Sequence, residues 1–556
     1  MRRLDQTNAA RRGRFRRTAG ALVAALLATA GFLPATPAAA ASYVPVDGSG
    51  STWAEPAVQE WTRDVVADGI QINFNGNGSA EGRQQYMQQE VDFAASDIAF
   101  LTQGDPFGGG IESPAYSYSY VPIVAGGTTF MYNLVVDGQR VSNLRLSGQT
   151  IAKIFTGQIT DWDDPAITRD YGAQLPNQPI TVVTRSDGSG ASYQFTDWLA
   201  TDYTSMWNAF CAANGGPSTN CGPTEFYPGF SGSIQKDGSD QVAGFLASSI
   251  SEGSIGYDEY AYALSYHIPV VKMLNAAGYY TLPTPYNVSI ALEQAIINEN
   301  ASSPDFLMQD LHNVYTATDP RAYPLSSYSY LIVPRDTSAN GDPPPPIWTD
   351  AKGVTMSSWM NYVLCKGQAE INDIGYASLP YNLVVGGFQQ MGHVPGHVAA
   401  ADIGSCGNPT YTDNVDVLTQ DAPMPSPCDY YTAPLDCTVE NGKAVSSGGP
   451  GGGAGSSGGG AGGAGVGGAN SPGASNSATV PGAGGTYGPG SGGGGGGPGG
   501  GSGQTIYTEP VAAASKPWLF KQTLSVGLVM LELLGAVSAP VLIGYGLRLR
   551  RRGARR

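Results

Sequence analysis

The chain runs to 556 residues with a formal charge of −16 and 77 glycines. Its basic residues gather at the ends: between Ser42 and Ser515 stand 14 Lys and Arg against 43 Asp and Glu, a formal −29. A surface of that sign excludes nucleic acid as a partner. An anionic partner would be repelled by the long-range field, which is screened within about 8 Å at physiological salt, and could be held only by local dipoles and short hydrogen bonds.

Seven arginines in Met1 to Arg17, the apolar run Thr18 to Leu33 and the small residues Pro34 to Ala41 read as a secretory signal over residues 1–41, cut near Ala40 or Ala41. The first cysteine is Cys211, so no N-terminal lipid anchor is expected. Gly48-Ser-Gly-Ser-Thr-Trp53 precedes a predicted helix with Pro56 near its first turn and Val58, Trp61 and Val65 at helical spacing. The strand-like run Ile70 to Phe74 leads into Gly76-Asn-Gly-Ser79, which opens the segment Glu81 to Glu90. Val91-Asp-Phe-Ala-Ala-Ser-Asp97 comes next.

The apolar run Pro179 to Thr184 predicts another strand, and Tyr193 to Ala200 another helix. Between them Arg185-Ser-Asp-Gly-Ser-Gly-Ala-Ser192 forms a Gly/Ser turn at a helix start. Such a turn offers unpaired N–H groups and the positive end of the helix dipole. Arg185 adds a planar fork of donors suited to phosphate. One loop of this kind is a common capped turn, but three of them with an arginine make a convergent oxyanion site. Asp97 beside an anion makes chemical sense only if the anion carries a proton to donate, as hydrogen phosphate does and sulfate does not.

The ordered blocks Gly48–Trp53, Gly76–Ser79, Val91–Asp97, Ile154-Phe-Thr-Gly-Gln-Ile-Thr-Asp-Trp-Asp-Asp164, Arg185–Gly190, Gly253-Ser-Ile-Gly-Tyr-Asp-Glu-Tyr-Ala-Tyr-Ala263 and Tyr376-Ala-Ser-Leu-Pro380 resemble the phosphate-binding proteins of phosphate ABC transporters over roughly residues 43 to 385. The resemblance implies a two-lobed, periplasmic-binding-protein-like (type II) α/β fold that binds inorganic phosphate outside the cytoplasm and delivers it to the permease subunits. It places Thr52, the backbone of Trp53, Ser79, Asp97, Arg185, Ser189, Gly190 and Ala191 on the anion, with Asp187 holding the arginine. The chain departs from the family pattern in three places. Trp53 stands for the usual Phe. Ala191 stands for the usual Thr and keeps only its N–H as a donor. Ala80-Glu81 replaces small residues, so Glu81 must point away from the anion.

The expected lobes comprise residues 42–133 with 312–421, and residues 134–311, the chain crossing near Leu134 and again near His312. Closure would then follow from tighter anion binding in the closed state. Tyr116, Tyr118, Tyr120, Tyr328 and Tyr330 read as packing rather than a ligand cage. Six cysteines, Cys211, Cys221, Cys365, Cys406, Cys428 and Cys437, lie in the exported part, where disulfides form. They allow fifteen connectivities, of which sequence proximity favours 211 with 221, 365 with 406, and 428 with 437. No metal site is expected: there is no Cys-x-x-Cys, and Pro395-Gly396 interrupts the spacing of His393 and His397. No cofactor is implied, and a monomer is expected.

After a cysteine-containing tail (422–445), Ser446 to Gly503 is nearly all Gly, Ser, Ala and Pro and holds too little apolar surface to offset chain entropy, so it reads as a disordered linker. Its 58 residues have a root-mean-square span of roughly 40 to 45 Å. That distance suits either docking to a neighbouring permease or a plain wall spacer. Gln522 to Leu547 is nearly continuously apolar for 26 residues, long enough to span a bilayer core of about 30 Å. The six arginines of residues 548–556 put that tail in the cytoplasm. Glu532 inside the span is a candidate contact with a partner helix. A membrane-tethered phosphate sensor and a secreted phosphatase-like hydrolase are the competing readings. The sensor lacks a recognisable cytoplasmic domain. The hydrolase's only Gly-x-Ser-x-Gly, Gly455–Gly459, lies in the linker with no strand before it, and no histidine accompanies the Ser79 or Ser189 loop.

Overall fold

The computed structural model describes residues 43–336 and 344–446, apart from 409, 413 and 441. The expected signal segment (1–41), the linker beyond Ser446, the apolar span (522–547) and the basic tail (548–556) lie outside the described residues. Among the described residues no helix is long and apolar enough to cross a membrane.

The first half alternates strand and helix: Val46–Gly50 (β1), Glu55–Asp64 (α1), Ile72–Gly76 (β2), Ser79–Gln88 (α2) and Phe93–Ser96 (β3). β1 runs parallel to both β2 and β3. Parallel strands need a crossover between them, and α1 and α2 supply it. α1 starts with Pro56 in its first turn and buries Ala57, Val58 and Trp61. The chain then enters Tyr118–Asn133 (β4). The second half contains Thr181–Arg185 (β5), Gly190–Asp202 (α3), Ser233–Lys236 (β6), Gly238–Ala247 (α4), Ser254–Glu259 (β7) and Tyr260–Tyr266 (α5). Pro285–Leu292 (α6) and Ser326–Pro334 (β8) follow, and Asp350–Leu364 (α7) and Tyr381–Met391 (α8) complete the layers.

The eight strands form one sheet in the order β2-β1-β3-β8-β4-β7-β5-β6. β4 is sixteen residues long, and all but its first residue are buried, as a strand covered on both faces requires. It changes partner along its length. Tyr118 to Gly127 pairs with β8, and Thr128 to Asn133 pairs with β7, both antiparallel. The change falls upstream of the Leu134 crossing expected from the sequence, inside an apolar run and at a glycine pair. Pro122 sits in this central strand where its missing N–H should break the ladder. The ladder skips one residue there, because Tyr330 faces Pro122 while Ser329 faces Val124. The carbonyl of the bulged Ile123 accepts a hydrogen bond from Gln368 Nε2 at 2.9 Å.

Aromatic side chains fill both halves. Phe93 meets Trp359 of α7 at 5.7 Å between ring centroids. Phe195 of α3 packs on Phe130 at 5.4 Å and on Tyr257 at 4.8 Å. Tyr118, Tyr120 and Tyr330 meet edge to face in sequence, at 5.3 and 6.4 Å between ring centroids. Disulfides join Cys211 to Cys221 and Cys365 to Cys406, and Cys428 and Cys437 are also disulfide-bonded. The tail returns to the second half: Arg145 Nη2 donates to the Ala433 carbonyl at 2.7 Å, Lys272 pairs with Asp429 at 2.7 Å, and Tyr430 bridges to Tyr279. Residues 436–438 and 445–446 group apart from this unit. Within that set Ser446 Oγ donates to the Asp436 carboxylate.

A methyl group on residue 126 would lie 2.4 Å from Glu259 Oε1 and 2.7 Å from the Trp53 indole. Gly126→Ala should therefore destabilise the chain by about 1 to 3 kcal/mol through overpacking, read as a lower thermal midpoint by calorimetry. An unchanged midpoint would mean that no close approach exists at the partner change.

Candidate functional site

Three helix starts meet at the cleft between the halves. β1 ends at Gly50, where the backbone turns with φ of 134°, and Ser51, Thr52 and Trp53 lead into α1. A side chain at residue 50 would strike the Ala95 carbonyl at 2.1 Å, so glycine is needed for both reasons. Ser79 is the first residue of α2, after Gly78. Ser189 caps α3, its hydroxyl accepting from Ser192 N at 3.3 Å. Gly190 and Ala191 thereby become the first two residues of α3, whose N–H groups have no partner within the helix.

Asp97 follows β3 and is buried. Oδ1 accepts from Ser329 Oγ at 2.7 Å and Ser51 Oγ at 2.8 Å, and Oδ2 from Ser51 at 3.0 Å and Ser79 at 3.1 Å. The second half closes directly onto it: a methyl group at residue 190 would lie 2.3 Å from Asp97 Oδ2 and 2.7 Å from Ser79 Oγ. Ala80 N donates to the Gly188 carbonyl at 3.0 Å and Gln194 Nε2 to the Asp97 carbonyl at 2.9 Å, both across the cleft.

Arg185, at the end of β5, is also buried. Its Nε donates to Asp187 Oδ1 at 2.8 Å and its Nη2 to Asp187 Oδ2. Nη1 reaches Ser239 Oγ at 3.1 Å and Asp258 Oδ2 at 3.2 Å, and Nη2 reaches Thr52 Oγ1 at 2.7 Å. Thr52 thus meets the arginine across the cleft, and its own carbonyl accepts from Tyr262 Oη at 2.7 Å. The Trp53 carbonyl accepts from Tyr376 Oη at 2.5 Å, and its indole N–H donates to Thr128 Oγ1 at 3.3 Å. The larger ring at position 53 lies against Gly126. Glu81 is exposed and accepts from Gln85, so its charge lies outside the cluster.

Burial pushes the Asp97 carboxyl above the usual range, opposed by Ser329, Ser51, Ser79 and the Arg185 charge. Burial also pushes Asp258 up, against the pull of Arg185. At Asp187 burial acts in the same direction, but the Arg185 charge and hydrogen bonds outweigh it and hold the carboxyl below its ordinary range. One buried guanidinium therefore faces two carboxylates, with a third nearby. An anion entering here gains donors rather than net positive charge.

Every residue singled out from the sequence, Thr52, Trp53, Ser79, Asp97, Arg185, Asp187, Ser189, Gly190 and Ala191, lies in this cluster. Four members were missed. Ser239 is the second residue of α4, in another Gly/Ser helix start, Gly238-Ser239, the same signal as the other three. Asp258 lies in a quoted block without an assigned role. Ser51 is inside a recognised loop, whereas Ser329 sits in the strand Ser326-Ser-Tyr-Ser-Tyr330 with nothing local to mark it. Among the described residues no group of three or more His, Cys, Asp or Glu could hold a metal ion.

The profile described as a PBP superfamily domain matches residues 35–366. The chain belongs to that superfamily. Its relatives include the phosphate-binding protein PstS of Xylella fastidiosa, 28% identical over 343 residues that cover 61% of this chain and 83% of the relative. Phosphate-binding protein PstS 2 of Mycobacterium tuberculosis is 28% identical over 345 residues, covering 60% and 82%. The crystal structure of the phosphate-binding protein from Stenotrophomonas maltophilia is 18% identical, covers 64% of this chain and 91% of its own, and superposes with a TM-score of 0.40.

The upward shift at Asp97 has a stability consequence of definite sign. A carboxyl raised on folding keeps a proton that the unfolded chain releases, so its contribution to stability is lost as pH rises from the unfolded value, about 3.9, through the folded one. Ligand-free Asp97→Asn should therefore melt above the wild type at pH 7, and the gap should close as pH falls toward 4. A gap of constant size across that range would mean the carboxyl is not raised.

Proposed function

We propose that this chain is an extracytoplasmic binding protein for inorganic phosphate that delivers its ligand to an ABC permease. The observation that carries the reading is a buried carboxylate, Asp97, set among donors: the first-turn N–H groups of α3, the Arg185 fork and the Ser51, Ser79 and Ser329 hydroxyls. Only an anion that itself brings a proton fits beside it. Hydrogen phosphate donates that proton to Asp97, while its other oxygens accept from Gly190 N, Ala191 N, Trp53 N, Ser79, Ser189, Thr52 and Arg185. Asp187 holds the guanidinium plane. The names of the PstS relatives support the same ligand. The halves carrying β3 and β5 act as the two lobes, and the partner change in β4 is where they flex.

Discrimination tests the chemistry. Sulfate leaves Asp97 facing a fully ionised ligand with no hydrogen between them, a mismatch that can reject an analogue by about 10⁴ to 10⁵-fold. Asp97→Asn offers either an acceptor oxygen or a donor NH₂, so the selectivity for phosphate over sulfate should fall far more than phosphate affinity does. Calorimetric titration of both proteins with both anions, at one pH and ionic strength, reads this. A mutant that excludes sulfate as strongly as the wild type removes Asp97 from the site, and release of phosphate from a phosphomonoester would favour a hydrolase.

The proposal includes a tether: the signal over residues 1–41, the Gly-rich linker and a membrane span at 522–547 would hold the binding unit on the outer face. A chain stopped near Gly503 should then be secreted in soluble form. Its retention in the membrane fraction after a high-salt wash would exclude the C-terminal anchor.

A further inference from the structure

The cleft is bridged by charge a second time, away from Arg185. Arg83 on α2 is fully buried. Its Nη1 donates to Ser96 Oγ at 2.9 Å, its Nε to Glu112 Oε2 at 2.8 Å and its Nη2 to Glu225 Oε2 at 2.6 Å. Ser96 ends β3 and Glu112 lies between β3 and β4, so both belong to the same half as Arg83. Glu225 belongs to the other. It lies on the connection to β6, where the neighbouring Thr224 exchanges hydrogen bonds with Thr196 of α3 at 2.8 and 3.0 Å.

Glu225 uses three of its polar groups in three directions. Its carboxylate meets Arg83. Its N–H donates to Asp105 Oδ2 in the first half at 2.8 Å, while Thr224 Oγ1 donates to Asp105 Oδ1 at 2.6 Å. Its carbonyl accepts from Ser189 N at 3.0 Å, the cap of the helix whose first residue, Gly190, abuts Asp97. Resting on the phosphate reading above, we propose that Glu225 is a positioning residue that couples lobe closure to the shape of the anion loop, with the Arg83 pair acting as a latch that sets how fast phosphate leaves.

The energetics favour a latch over a permanent staple. Arg83 keeps Glu112 and Ser96 whether or not the halves meet, so its charge is never stranded. Among the described residues Glu225 forms an ion pair only with Arg83, across the cleft, and its Oε1 is buried with no hydrogen-bond partner. A buried pair repays its desolvation only with complete hydrogen bonding. This one is incomplete on one side, so it holds the closed state without making it irreversible. In the open state the Glu225 carboxylate returns to water, and the loss of the pair falls on the closed state alone.

Stopped-flow measurement on the full chain in detergent tests this with inorganic phosphate as the probe. Glu225→Gln should speed phosphate release by about 10- to 100-fold while association changes by less than about threefold, the pattern of a lost buried charge pair rather than lost steering. Arg83→Met, which strands the carboxylate, should release faster still, and adding Glu225→Gln to it should slow release again. That rescue is not expected of two unrelated structural defects. If Glu225→Gln does not fold, Glu225→Asp keeps the charge at a shorter reach and should show a smaller acceleration. Release within about twofold of the wild type in the folded variant overturns the latch. A wild type that binds no phosphate overturns the ligand assignment itself.

Discussion

β4 is shared by both halves of the molecule, and the rest of the architecture depends on how it is shared. Its first ten residues belong to one ladder and its last six to another, so Gly127 and Thr128 mark the junction between the two parts of the sheet. The Asp97 and Arg185 cluster sits beside that point. The Trp53 indole rests on Gly126 and donates to Thr128, while the Trp53 carbonyl is held by Tyr376. The loop before α1 is therefore in direct contact with the residues where β4 changes partner.

The site solves an electrostatic problem by arrangement. Between Ser42 and Ser515 the chain is strongly acidic, and the buried Arg185 is already balanced by Asp187 and Asp258. On the phosphate reading, what is left to attract the anion is directional: helix N–H groups and hydroxyls, beside an Arg185 whose N–H donors already have partners. Such donors are short-ranged and demanding of geometry. A site built this way trades the speed of electrostatic capture for selectivity.

The helix starts at Glu55, Ser79 and Gly190 were legible because capping chemistry is local: Gly, Ser and Pro announce a turn within a few residues. The type of fold was legible too, through ordered blocks that span most of the folded chain. The partner change in β4 was not, since Gly126-Gly127 lies within a continuous apolar run and reads as strand on both sides. Ser329 was invisible for a similar reason, because a serine alternating with tyrosines signals only a buried strand. Arg83 and Glu225 stand 142 positions apart with no motif around either, and their pairing exists only once the halves have met.

The docking of the tail has a mechanical meaning. Residues 429–433 are pinned to the second half by Arg145, Lys272 and Tyr279, beyond the point where Val417–Asp421 packs beside α6. Tension applied to the chain after Leu435 thus enters through the half that carries Arg185 and is borne there. On these contacts, a load from the tail would reach the second half before the cleft.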